Sequence, residues 1–122
     1  MTRPDLRACQ HTEAAFRLLG KRWMGLILDL LLQRPARFNE LARAIPQLSK
    51  RMLDERLTEL AEHGLVEREV DPGPPLAVTY RLTPRGQALR PAMDALRAWA
   101  GAFEAAAAPL DAPSRAPGSP QE

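Results

Sequence analysis

The residues with binding chemistry gather in one short stretch. Lys50 and Arg51 directly follow Ser49, Met52 comes next, and Arg56 lies a little over one helical turn beyond. Basic side chains near the N-terminal end of the second helix of a helical pair are what a major-groove reader requires. That end also carries N–H groups without intrahelical acceptors, which favour phosphate oxygens. An Arg that forks onto the O6 and N7 of guanine there provides about 1–3 kcal/mol of discrimination between bases; Arg51 and Arg56 both qualify. Arg37 and Asn39, a little upstream, are expected to fix the register through phosphates. A solvated amphipathic helical hairpin is the plainer explanation of the same segment, so the elements around it have to decide.

Those elements form a pattern. Phe38, Leu41, Ala42 and Ile45 fall at i, i+3, i+4 and i+7, the apolar stripe of a short helix that Asn39 is expected to cap. Pro46 ends it, because the residue before a proline is driven out of the α region. Pro46-Gln47-Leu48 is then a three-residue turn. Ser49 caps a second helix that runs to about His63, with Leu53, Leu57, Leu60 and Ala61 turned inward, and Gly64 supplies a left-handed stop. Two strand-like runs follow, Leu65–Val70 and Ala77–Leu82, joined by the turn-rich Asp71–Leu76. A hairpin placed directly after a helix pair is the wing of a winged helix-turn-helix. Its tip, Pro72–Pro75, holds no Lys or Arg, so contacts from the wing fall to Arg68, Arg81 or the backbone.

The remaining segments frame this unit. Residues 1–11 read as an N-terminal arm, residues 12–108 as the folded domain with its dimerisation helices, and residues 109–122, rich in Pro, Ala and Ser, as a disordered tail. A first helix is expected over Thr12–Leu19, capped by Thr12, with Ala15, Phe16 and Leu19 on one side. Lys21-Arg22 make a basic corner. The following helix, Trp23–Gln33, is apolar nearly all round and so is the buried strut of the domain. Arg37-Phe38 add a very short edge strand. Thr83-Pro84, a cap followed by proline, starts a long helix to about Ala108, striped by Leu89, Met93, Leu96, Ala100 and Phe103 and kinked at Pro91. One small domain has little core to cover that stripe. Packing against the same helix of a second chain answers this, with purely intramolecular packing as the alternative.

Composition narrows the function. The 122 residues suit one modest domain, with 45% hydrophobic and 26% charged residues. The net charge of +2 predicts little by itself, but its distribution is polarised. Arg3–Arg51 holds ten Lys/Arg against four Asp/Glu, and Asp54–Asp71 two against seven. One cysteine excludes an intrachain disulfide framework. No secretory leader is legible, and the apolar run Trp23–Leu32, interrupted by Asp29, is too short to span a bilayer, so cytoplasmic residence without a membrane partner is expected. His11 and His63 lie far apart, and neither a metal site, a cofactor motif nor a catalytic constellation is expected; an enzyme is the least expected class.

Ordered along the chain, these residues resemble the HxlR-type family of bacterial winged helix-turn-helix regulators. The resemblance rests on Cys9, Leu19-Gly20-Lys21, Trp23, Arg37-Phe38-Asn39-Glu40-Leu41, Ile45-Pro46, Leu48-Ser49 and Leu53. It continues through Arg56-Leu57, Glu59-Leu60, Gly64-Leu65-Val66, Arg68, Pro75, Val78, Tyr80, Leu82-Thr83, Gly86, Leu89, Pro91 and Trp99. It departs from the family where Gln10-His11 follow Cys9 and where the wing tip lacks basic residues. The resemblance implies a homodimer joined through the first and last helices, with two reading helices on an inverted repeat in double-stranded DNA. It implies a repressor or activator of a neighbouring gene, often one that answers electrophiles, oxidants or small aromatic compounds.

The fold expected is therefore mainly α with a small β-hairpin, a winged helix-turn-helix with N- and C-terminal dimerisation helices. Ser49, Lys50, Arg51, Met52 and Arg56 are expected in or beside the major groove, with Arg37, Asn39, Arg68 and Arg81 around them. Cys9, near Arg7 and His11, is either a redox sensor or an inherited small buried residue. Phe16, Trp23, Met93, Leu96, Trp99 and Phe103 line either an effector pocket or a plain dimer core. A winged-helix protein-interaction module and a drug-sequestering dimer are the competing functions.

Overall fold

The fold follows from where each helix finds its stop. A computed structural model describes residues 2–105 and Leu110, and distinguishes two units, Met1–Ala88 and Leu89–Glu122. In the first, α1 (Gln10–Leu19) is followed by α2 (Met24–Gln33), β1 (Ala36–Arg37), α3 (Phe38–Ala44), α4 (Lys50–Glu62), β2 (Val66–Asp71), β3 (Ala77–Leu82) and the single turn α5 (Pro84–Gln87). The second holds α6 (Arg90–Ala105). The expected helix end near Ala108 and the tail, apart from Leu110, lie outside the described residues. The mainly helical architecture with one small antiparallel sheet is the expected winged helix-turn-helix.

The core forms where the apolar stripes converge. Met24, Ile27, Leu28, Leu31 and Leu32 of α2 are buried, as are Leu41 of α3 and Leu53, Leu57 and Leu60 of α4. Ala61, expected on the inward stripe of α4, is exposed; its small side chain lies on the flank, one residue past the last buried leucine. Ile45 and Leu48 bury the turn between α3 and α4, and Leu48 N–H donates to the Ile45 carbonyl at 3.0 Å. The sheet has the order β1-β3-β2, so β3 is central. Ala36 pairs with Tyr80, and β2 runs against β3 from Val66 opposite Leu82 to Asp71 opposite Ala77. Ala36, Val66, Tyr80 and Leu82 are buried.

Several boundaries differ from the sequence expectation: the edge strand is Ala36–Arg37 rather than Arg37-Phe38, α2 starts at Met24 rather than Trp23, and three helix starts are set by other groups than expected. α1 starts at Gln10 with Cys9, not Thr12, at the N-cap, and the Cys9 carbonyl accepts Glu13 N–H at 3.0 Å. No oxygen side chain caps this start, and the first N–H groups face water and the Cys9 thiol. α3 starts at Phe38 with Arg37 at the N-cap, and Asn39 lies inside the helix. The Glu40 carboxylate takes the Arg37 N–H at 2.9 Å, so the satisfying oxygen comes from within the first turn. Finally, Pro91 does not kink one long helix; α5 and α6 are separate, and Pro91 stands in the first turn of α6, where its missing N–H would have no intrahelical acceptor anyway.

The end of α4 is built by Gly64, whose φ of +74° is left-handed. Gly64 N–H donates to Ala61 at 3.0 Å and Leu65 N–H to Leu60 at 2.9 Å, the two bonds of a Schellman stop. Thr83 closes the same junction: its N–H donates to the Leu65 carbonyl at 3.0 Å, and its hydroxyl to the Gly64 carbonyl at 2.6 Å. Thr83 Oγ1 also accepts Gly86 N–H at 3.2 Å, capping α5. A Cβ on Gly86 would lie 2.3 Å from the Leu65 carbonyl oxygen, whereas one on Gly64 meets only open space near Arg85. Gly64→Ala is therefore expected to destabilise by about 1–2 kcal/mol, the left-handed penalty. Gly86→Ala is expected to cost more, because backbone itself must move. Urea denaturation of both variants checks the order; equal losses would refute the close-packing argument.

Candidate nucleic-acid interface

Ser49 opens the interface, and its backbone is extended while Met52 N–H donates to its side-chain oxygen at 3.0 Å. That bond starts α4 at Lys50 and leaves the neighbouring N–H groups of the first turn without intrahelical acceptors. Lys50 is exposed and Met52 half-buried. The Arg51 side chain is 89% exposed, with its guanidinium 3.5 Å from Glu55 one turn along. Basic charge thus stands at the positive end of the α4 dipole, where an anion gains from both.

α3 extends the same face. Arg37, Asn39, Glu40 and Arg43 line one open recess, and Asn39, Ala42, Arg43 and Lys50 line the next. Arg37, Asn39, Arg43 and Lys50 therefore form a continuous polar and basic strip across the helix-turn-helix. Sequence reasoning misses Arg43, although its i+4 spacing from Asn39 puts it on that face.

The other sequence-predicted residues are placed differently. Arg56 is largely buried, 16% exposed, and does not project freely toward a groove. Its guanidinium donates to Glu59 at 2.6 Å and to the Arg22 carbonyl at 3.0 Å. Glu59 also meets the Lys21 ammonium, which, ahead of Arg56, holds its carboxyl below the usual range. Arg68 and Arg81 occupy opposite faces of the hairpin, since Arg68 is paired with Tyr80 and Arg81 with Glu67. Arg68 lines a recess with Asp54, Leu57, Thr58, Ala61, Glu62 and Tyr80, while Arg81 bonds Glu69 at 3.0 Å.

Cys9 is exposed, not the buried residue of the alternative expectation. Thr12, through its backbone N–H and then its side chain, with the His11 N–H after them, holds the thiol below its usual value. Of the apolar residues expected around an effector, Phe16 is 60% exposed and Trp23 half-buried in the first unit. Met93, Leu96, Trp99 and Phe103 lie on α6, where the Trp99 and Phe103 rings meet edge to face at 5.4 Å. Among the described residues no group of His, Cys, Asp and Glu is arranged to hold a metal, and no helix is long and apolar enough to cross a membrane.

Comparison with known proteins agrees with this geometry. The family model described as HxlR-like helix-turn-helix matches residues 18–107. The HTH-type transcriptional regulator YodB of Bacillus subtilis (strain 168) is 47% identical over 95 residues, spanning 78% of this chain and 85% of that protein. Its quinone-bound crystal structure superposes with a TM-score of 0.68 at 45% identity, over 78% of this chain and 100% of the other. The redox regulator HypR in its reduced form gives a TM-score of 0.75 at 31% identity, over 80% and 97%.

The strip depends on how α3 begins. Arg34 grips the Glu40 carboxylate at 2.7 Å while Arg37 N–H donates to it, and these two, Arg34 first, lower the Glu40 pKa from 4.5 to about 2. A depressed carboxylate supplies stability that is fully present above its unfolded pKa and is lost as pH falls through the folded one. Glu40→Gln is thus expected to be less stable than the wild type at neutral pH, with the gap narrowing as pH drops from about 4.5 to about 2. Chemical denaturation across that window measures it; parallel acid limbs would show that Glu40 does not anchor the helix.

Proposed function

The chain belongs to the HxlR-like helix-turn-helix family, and within that DNA-binding, transcription-regulating family we propose that it is a homodimeric repressor of a neighbouring gene. Its target is an inverted repeat, one α4 per half-site. The observation that carries this reading is the strip Arg37–Asn39–Arg43–Lys50 beside the projecting Arg51. Arg51 reads a base edge, with Ser49 and Met52 beside it. Arg37, Asn39, Arg43 and Lys50 hold phosphates. Arg68 and Arg81, one on each face of the wing, touch the flanking backbone in turn. Arg56 acts from inside the fold, as an anchor of α4.

Exposed apolar surface supports the dimer. No residue of α1 is buried, and Phe16 of α1 and Leu96 and Trp99 of α6 all present apolar area that a second copy would remove from water. Response to electrophiles or oxidants rests on Cys9, exposed and with its thiolate favoured by the Thr12 and His11 donors. YodB has been solved with a quinone bound, and Cys9 is the nucleophile here for the same class of compound. With one cysteine per chain, any disulfide joins two chains or a chain and a small thiol.

Fluorescence anisotropy with DNA from upstream of the protein's own gene, against a shuffled duplex and across a salt series, tests the regulator. Tight binding to the native fragment alone, with a log–log slope of about −5, corresponds to roughly six phosphate contacts. Arg51→Ala should weaken the native fragment by about 1–3 kcal/mol and leave the shuffled one nearly untouched. Arg43→Ala should weaken both and reduce the slope by about 1. Equal losses on both duplexes for Arg51→Ala would refute base reading. Cys9→Ser should abolish release of DNA by a quinone; unchanged release would remove Cys9 from the response.

A further inference from the structure

One cluster is absorbed by neither the reading face nor the thiol. The corner between α1 and α2 is tied to α4 across more than thirty residues of chain: Lys21 to Glu59, and the Arg22 carbonyl to Arg56. Glu59 joins the two ties by accepting from Arg56 at 2.6 Å. Glu59 is 21% and Arg56 16% exposed, so water competes weakly for their bond, while Lys21, 42% exposed, reaches Glu59 from the solvent side. The corner itself is sharply set. Trp23 has a left-handed φ of +75°, rare for a bulky residue, and the Arg22 guanidinium stacks 4.6 Å from the centre of its ring.

The helical period gives the cluster its meaning. At 3.6 residues per turn, Arg56 and Glu59 occupy one flank of α4, and Asp54, Thr58 and Ala61 the other. The second flank faces Arg68 and Tyr80 of the hairpin. Arg51 leaves the helix between the two flanks, opposite the buried Leu53, Leu57 and Leu60. α4 is therefore bracketed, by the corner on one side and the wing on the other.

We propose that Glu59 is a positioning residue for base reading: by bridging Lys21 and Arg56 it fixes the roll of α4 about its axis, and with it the direction in which Arg51 projects. This rests on the DNA-reading function proposed above. Leucine packing alone tolerates small rotations, because apolar contact is not directional. Hydrogen-bonded ion pairs are directional and resist them. Glu59 touches no DNA in this scheme, so its loss should misalign reading without removing a phosphate contact.

The test compares wild type, Glu59→Gln, Lys21→Met and the double variant by anisotropy on the upstream and shuffled duplexes, with thermal melts and circular dichroism alongside. Each single variant should keep its helical signal and melt cooperatively, yet lose about tenfold on the upstream duplex and little on the shuffled one, in the range of substitutions that act on a site from a distance. The double variant should be no worse than Glu59→Gln alone, since Lys21→Met removes a tie that Glu59→Gln already weakens. Variants that are folded and as selective as wild type would overturn the positioning role while leaving the DNA reading intact. Losses equal on both duplexes, or tracking a loss of folded protein, would reduce Glu59 to a structural residue. A wild type without selectivity would overturn the DNA reading itself, and this role with it.

Discussion

A left-handed glycine one residue beyond the C-cap of the reading helix is the constraint on which the rest depends. Because Gly64 turns the chain back, Leu65 can return its N–H to Leu60 and bury its side chain beside Val66. The carbonyls of residues 64 and 65 are then free to receive Thr83, which arrives at the end of β3. Reading helix, wing and the turn that leaves the wing thus meet at two consecutive peptide groups. Gly86 presses against the second of these, so the hairpin cannot shift without disturbing the helix end.

Ion pairs divide the basic residues into two populations. Arg34 is occupied with Glu40, and Arg56 and Lys21 with Glu59. These cations hold elements in place. Arg37, Arg43, Lys50 and Arg51 stand at the surface of the helix-turn-helix, with Arg51 only loosely matched to Glu55. A net charge of +2 therefore understates the field that a phosphate backbone would meet there, because Glu40 is turned to Arg34 and Glu59 to Lys21 and Arg56.

Features governed by local chemistry were legible in the sequence. Ser49 as a cap, Gly64 as a stop and Thr83-Pro84 as a start all hold, since each depends on a residue and its immediate neighbours. The hairpin was legible from alternation; the apolar circumference of α2 overstated its burial, since one side is buried through Met24, Ile27, Leu28, Leu31 and Leu32 while Leu26 is 52% exposed. Competition between local solutions was not. Asn39 and Glu40 could each satisfy the start of α3, and Arg34, six residues before Glu40, decided in favour of the carboxylate. Arg56 illustrates the larger difficulty. By spacing it belongs with Lys50 and Arg51, but its partners are Glu59 and a carbonyl thirty-four residues upstream. No periodicity announces such a pair. Arg43 had a visible signal, its i+4 relation to Asn39, and shows that the reading face includes the first helix of the pair as much as the second.

The strand order β1-β3-β2 leaves two open edges, and each is unsuited to recruiting a foreign strand. β1 offers only two residues before the chain coils into α3. β2 is longer, but its outer rim runs through Glu67, Arg68, Glu69 and Asp71, a row of charges that would have to be stripped of water and matched before another sheet could dock. The sheet is thereby protected against edge-to-edge growth into aggregates. A protein of this build can leave apolar helical surface exposed without its small sheet becoming a template for fibrils.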